Sequence, residues 1–352
     1  MSDAQIPLQA TGSPEESELE PGQTPATPPP EEKKGDDLGS RLTVAMRDIA
    51  SGNVLIAILA VVLALLVGAI LIVLTNKDVQ AASGYFFSRP ADTFQAIWTT
   101  VSGAYSALFQ GAIYNFRALS FFSGIKPLTD TLFYGTPLIL AGLGVALSFR
   151  VGLFNIGGQG QILIGGAFAG WVAWSFPMPF PLALIAAAAA GVVGGAVWAG
   201  IVGLLKARTG AHEVIVTIML NYVAFYLISF LLRTPGALQA PGTANPKSPP
   251  IPEHAQLPLL FGVRYPVTWA FVIAIAATLF YGWLMSRSSL GFRFRAVGEN
   301  PKAARTAGIS VERMYVYGMA LAGGLVGLVG VNQVLASTPG GFGSGFDAGL
   351  GF

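Results

Sequence analysis

An otherwise apolar chain carries three stretches whose side chains could do chemistry. The first, Arg150 to Gln161, places Gly152, Gly157, Gly158 and Gly160 among the carboxamides of Asn155, Gln159 and Gln161. Glycine and amide at that density make a poor uninterrupted membrane helix, so a broken or re-entrant segment is predicted near 152–161. Irregular backbone survives at membrane depth only when buried in protein or lining a watery cavity, where freed amides and carbonyls can meet a polar solute. Asn155 and Gln159, four apart, share a face if helix persists through the glycines. Two readings stand side by side: amides lining a solute path, or amides fastening a bundle through interhelical hydrogen bonds. No Gly-Lys-Ser/Thr follows, so the glycines do not form a phosphate loop.

The second stretch is His212, Glu213, Thr217 and Asn221, with Tyr222 beside it. The spacing of Glu213, Thr217 and Asn221 draws one polar stripe along an apolar helix, and such a stripe faces the bundle or a cavity, not lipid. His212 and Glu213 fall at the boundary, where water can solvate them, which leaves Asn221 as the better lining group. The third stretch, 287–313, holds six basic residues against Glu299 and Glu312. Within it Asn300 can cap, Pro301 can fill the first turn, and Gly308 can end a short helix running to about Ala307. A helix that short is marginal in water, so it needs a partner surface to hold it. The competing reading is a solvated loop that only sets topology.

These stretches are positioned by membrane spans. Of 352 residues 53% are hydrophobic and 11% charged, with a mean hydropathy of +0.61, against roughly 25% charged in a soluble domain. The predicted fold is all-α, a polytopic helical membrane protein of about seven spans, with apolar runs at 54–74, 131–149, 153–176, 181–205, 213–232, 266–286 and 314–336. Residues 1–40 are Pro-, Glu- and Ser-rich and are read as a disordered cytoplasmic tail, with 41–352 as the transmembrane domain. Basic residues before the first run put the N-terminus in the cytoplasm. The turns then assigned inside hold Arg150, then Lys206 and Arg208, then the basic loop 287–313, while the short turn at 177–181 carries no charge. The aromatic-rich segment 75–130 is read as outer interfacial helices, and a stretch near 93–113 is too polar to count as a span.

With no cysteine and two histidines, thiol chemistry and most metal chemistry are excluded. A net charge of +2 gives no case for nucleic acid. No Walker A, H-E-x-x-H or G-x-S-x-G motif is present, so the chain is expected not to be an enzyme, and any ATP used must be hydrolysed by another chain. A secondary transporter of a small polar solute is the alternative, disfavoured because coupling carboxylates are missing from the spans.

Three stretches, GLGVALSFRVGLFNIGGQGQILIGG (142–166), AHEVIVTIMLNYVAFYL (211–227) and FRAVGENPKAARTAGISV (294–311), closely resemble the permease subunits of bacterial ABC importers for simple sugars and nucleosides. The resemblance covers about 130–352. It implies a permease of the cytoplasmic membrane that pairs with a second, related permease, a cytosolic ATPase carrying ATP and Mg, and an extracytoplasmic solute-binding lipoprotein. It assigns ATPase coupling to Gly298, Glu299, Asn300, Pro301, Lys302, Ala303, Ala304, Arg305 and Gly308. The in-membrane Phe-Asn-Ile-Gly segment falls on Phe154, Asn155, Ile156 and Gly157, and the substrate-pathway set is Phe154, Asn155, Gln159, Gln161, Thr217 and Asn221. Neutral polar groups suit a hydroxyl-rich neutral solute, and nearby aromatics could stack on a base, which leaves nucleoside and simple sugar both open. Members of the family continue past the Gly345–Gly349 stretch, so ending at Phe352 is read as a truncation.

Overall fold

The computed structural model describes residues 53–351, so the tail at 1–40 lies outside the described residues. The chain divides into two compact units, 1–97 and 98–352.

In the first unit α1 (Asn53–Thr75) is apolar around its whole circumference. From Leu55 onward nearly every side chain is exposed. A helix with that pattern is solvated by hydrocarbon, and its 23 residues span about 34 Å. Asn76 stops the run and caps α2 (Lys77–Ser83), its Oδ1 accepting from Asp78 N at 2.9 Å and Val79 N at 3.2 Å. α3 (Pro90–Ala112) begins here, with the buried Thr93 hydroxyl donating to Ala82 O at 2.9 Å. It is long enough to cross a membrane, but it is not among the six helices that are both long and apolar enough.

The second unit continues with α4 (Phe121–Gly124), α5 (Lys126–Arg150), α6 (Gly158–Ser175), α7 (Leu182–Thr209), α8 (Glu213–Leu231), α9 (Trp269–Arg287), α10 (Ser289–Glu299), α11 (Pro301–Thr306) and α12 (Val311–Asn332). A π turn, Gln333–Ser337, extends α12. α6, α7 and α12 form the centre, and they approach closely because their facing positions are glycine. A Cβ on Gly195 would stand 2.8 Å from Gly327 Cα, and one on Gly165 would stand 2.8 Å from Gly327 Cα and 2.9 Å from Gly191 O. In lipid, where apolar surface gains little by leaving solvent, such backbone contact is the main source of helix adhesion.

Six helices among the described residues meet the length and hydropathy of a span, against seven apolar runs in the sequence. The difference is the run at 153–176. Its first five residues are not helical, and α6 begins only at Gly158. α6 is sheathed by protein, with Gly158, Gly160 to Ala167, Ala169, Gly170 and Ala173 buried, so it needs no apolar coat against lipid. Its length of 18 residues still covers about 27 Å. The segment 75–130, read as interfacial, forms α2, α3 and α4.

Gly195→Leu is expected to force α7 and α12 apart and lower the midpoint of thermal unfolding in detergent, since overpacking costs about 1–3 kcal/mol. Gly142→Ala, at a position with nothing within 4 Å of the added carbon, is expected to leave the midpoint unchanged or higher, which places both variants on one fluorescence-detected melting assay.

Candidate functional site

α5 ends at Arg150 with a tight turn in which Gly152, at φ +79°, takes the left-handed conformation that favours glycine. Leu153 to Gly157 then run without helix beside α8. Each level of that climb is marked by a contact: a Cβ on Gly157 would touch Thr217 Cβ at 3.1 Å, and Gly160 N donates to Asn221 Oδ1 at 2.9 Å. Asn221 lies eight residues along α8 from Glu213, about 12 Å in from the helix end. The predicted break therefore sits at the entry to α6, as non-helical chain over Leu153–Gly157, and not within a helix.

The carboxamides of Asn155, Gln161 and Asn221 are spent on that backbone or on another carboxamide. Asn221 Nδ2 donates to Ile156 O at 2.9 Å, so one side chain clips both strands of the turn into α6. Asn155 Oδ1 accepts from Gly157 N at 3.0 Å and from Gln161 Nε2 at 3.0 Å, while Asn155 Nδ2 donates to Gln161 Oε1 at 3.3 Å. Asn155, Gln161, Thr217 and Asn221 are all buried. The Thr217 hydroxyl turns back to its own helix, donating to Glu213 O at 2.8 Å and Val214 O at 2.9 Å. Phe154 is apart from this set, 52% exposed, with its ring 4.9 Å from that of Phe149.

Gln159 joins a feature that the apolar-run reading passed over. Beyond the π turn, Thr338 to Gly351 leave helix and run back along α6, with Phe342 packed at Gly170, Phe346 at Gly166 and Gly351 at Gly158. The far end of this segment is tied to the long 233–265 loop by Ser248 N to Phe342 O, 2.9 Å, and Phe342 N to Ser248 Oγ, 2.9 Å. At the other end Gln159 N donates to Gly351 O at 3.1 Å, and Gln159 Nε2 donates to Asp347 Oδ2 at 3.2 Å. Asp347 is 3% exposed. Its signal in the sequence is that half of Gly340–Gly351 is glycine, which argues against an apolar helix there.

The basic loop folds as its caps predict. Ser288 Oγ accepts from Gly291 N at 2.9 Å to open α10, and Asn300 Oδ1 accepts from Lys302 N and Ala303 N, both at 3.1 Å, to open α11. Gly308, at φ +81°, follows its end. Phe294 and Val297 are fully buried and Ala304 is buried, which anchors both helices, while Glu299, Asn300, Pro301, Lys302, Ala303 and Arg305 are exposed. Arg305 pairs with Glu312, and Lys206 pairs with Glu213 at 2.8 Å, joining α7 to α8. A groove of about 900 Å³ opens beside α11, with Arg293, Glu299, Ala303 and Arg313 on its walls. The coupling set reaches the turn before the pathway set at Gly298, where a Cβ would lie 3.0 Å from the Arg150 carbonyl carbon and 3.2 Å from Gly152 N, three residues before Asn155.

A family model described as "Branched-chain amino acid transport system / permease component" matches residues 128–352. The chain belongs to this family. The permease is 33% identical over 314 residues to a guanosine ABC transporter permease protein of Bacillus subtilis, covering 84% of this chain and 77% of that one. It is 38% identical over 239 residues to a glucose ABC transporter permease protein of Haloferax volcanii, covering 64% and 61%. A nucleoside ABC transporter permease protein of Lactococcus lactis is 33% identical over 285 residues, covering 79% and 70%. No solved structure matches. The permease thus joins the membrane subunits of ABC importers, and all three quoted resemblances fall inside this family's span or its α8 and α10–α11 segments.

Asn221→Ala is expected to strand the Gly160 N–H and the Ile156 carbonyl in a buried site, at about 1–3 kcal/mol for each group. Thr217→Val removes only a hydroxyl bonded to its own helix. Thermal unfolding of the two purified variants is expected to show a clearly lowered midpoint for Asn221→Ala and a small shift for Thr217→Val.

Proposed function

We propose that this permease forms the passage of an importer for a neutral, hydroxyl-rich solute, a nucleoside or simple sugar, driven by ATP and Mg bound on a separate cytosolic ATPase. The observation that carries the reading is α11. Six residues are too few to hold a helix in water alone, yet this one is capped, anchored by Ala304, and presents Pro301, Lys302, Ala303 and Arg305 outward. An exposed, rigid, basic helix is a handle for another protein. The positive-inside rule puts this basic end, with the N-terminus, in the cytoplasm of the bacterial inner membrane. A second permease completes the passage, and a solute-binding lipoprotein delivers solute at the opposite end.

The route from handle to passage is short. Closure of the ATPase pushes α11 and with it α10, and Gly298 bears on the turn at Arg150–Gly152, where no side chain cushions the two backbones. That displaces Leu153–Gly157 against α8. The passage wall is then the set Phe154, Asn155, Gln159, Gln161, Thr217 and Asn221, whose amides exchange their mutual bonds for bonds to solute hydroxyls as the wall opens. Amide and hydroxyl groups bind such a solute without burying a net charge. The names of the relatives, guanosine, nucleoside and glucose permeases, support that solute class.

In vesicles holding the whole transporter, replacing both Glu299 and Arg305 by alanine is expected to cut solute uptake by about tenfold or more, the scale of losing one or two charged contacts of about 1.5–3 kcal/mol. The amount of permease in the membrane stays the same. Uptake equal to wild type at equal permease content contradicts the assignment of α11 to the ATPase.

A further inference from the structure

Asp347 is a buried carboxyl group beside the start of α6 with no cation to balance it among the described residues. It lies beside Gln159, next to the residue that Asn221 clips, and among the described residues no Lys, Arg or His comes within ion-pair distance. Its described hydrogen bonds fall on one oxygen: Oδ2 accepts from Gln159 Nε2 at 3.2 Å and from its own neighbour Gly349 N at 3.2 Å. Oδ1 accepts none from the described residues. Holding the glycine-rich segment to α6 needs only one acceptor at this position, and a neutral asparagine would supply it without the cost of desolvating a charge. The Gln159 side-chain amide and Gly349 N solvate one oxygen, which explains how the group is held but not what it is for. Ionisable groups inside the membrane are retained for work on a solute or ion.

We propose that Asp347 accepts hydrogen bonds from the hydroxyl groups of the transported solute and thereby favours solutes that carry a vicinal diol, an inference that rests on the solute class proposed above. A carboxylate has two oxygens with about four acceptor positions. Two are in use, both on Oδ2, and Oδ1 is free to accept, so adjacent hydroxyls can bond across the two oxygens. The surrounding carboxamides of Asn155, Gln161 and Asn221 are each bonded at both the oxygen and the nitrogen, whereas Asp347 has one oxygen with no bond from the described residues. Access runs by Gln159, which is half-buried where its neighbours are buried. As Gln159 releases Oδ2, the solute's hydroxyls replace its amide.

The test compares Asp347→Asn and Asp347→Ala in the reconstituted transporter with its ATPase, second permease and excess loaded binding protein. A ribonucleoside and glucose serve as probes, each beside an analogue lacking the adjacent hydroxyls. Asparagine keeps an acceptor for Gln159 and Gly349, so a role limited to fastening the segment leaves Asp347→Asn at the wild-type rate and impairs only Asp347→Ala. The expected result is that both variants assemble and hydrolyse ATP, that both lose about tenfold or more in maximal uptake of the diol, as for a lost hydrogen bond to a charged group, and that the wild-type preference for diol over analogue disappears. Wild-type uptake by Asp347→Asn, or an equal loss for diol and analogue, overturns the assignment. A wild-type transporter that carries neither the ribonucleoside nor glucose overturns the solute reading, and this assignment with it.

Discussion

A backbone that leaves helix inside a membrane must find partners for each freed N–H and C=O, because hydrocarbon offers none. That constraint shapes the centre of this permease. Between Arg150 and Gly158 the chain surrenders its helical bonds for five residues, and Asn221 takes up Ile156 O and Asn155 takes up Gly157 N, while Leu153 N turns back to Ser148 O. The residues that make the segment irregular are also those that let it pack. A Cβ on Gly160 would stand 2.7 Å from the Trp198 ring nitrogen, and one on Gly157 or Gly158 would press on Thr217 or Gly351 at 3.1 Å. Polar bonding and close approach are thus two aspects of one local solution.

The same solution is used twice around α6. One non-helical segment enters at its start, and the turn-rich segment after α12 descends its flank to the same level, where Gln159 touches both Gly351 and Asp347. The first segment is tied through Gly152 and Gly298 to the basic end, and the second through Phe342 and Ser248 to the long loop at the opposite end. α6 therefore stands at the junction of connections to both ends of the bundle. A central helix buried on most sides cannot move alone, and in the proposed cycle displacement at either end is expressed as exchange among the amide bonds at this junction.

Much of this was legible in the sequence, for identifiable reasons. Long apolar runs set five spans within a few residues of their ends, since hydropathy and length depend on composition alone. The caps of α11 were readable because Asn300, Pro301 and Gly308 each act within a few residues of their own position. The break near 152–161 was legible in its glycine and amide residues, which signal a weak helix but do not say where the helix resumes. Asp347 and the segment around it escaped notice because their partners are remote: Gln159 is 188 residues away, and no local pattern encodes that pairing. Whether Asn155 and Asn221 line a path or fasten the bundle was also undecidable from spacing. In this conformation their bonds are closed on protein, and a role in transport requires those bonds to open.

That opening can be measured on a single side chain. The chain contains no cysteine, and Thr217 is fully buried against Gly157 with its hydroxyl bonded only within its own helix, so Thr217→Cys is a nearly neutral probe of the clip. In the complete transporter the rate at which a small, water-soluble thiol reagent modifies this cysteine is compared at rest and during ATP hydrolysis. The account predicts protection at rest, modification faster by about tenfold or more during turnover, as for a buried site that opens in a minor state, and slowing by solute. Equal, slow modification under both conditions would show that the amide junction stays closed throughout the cycle and would contradict the account.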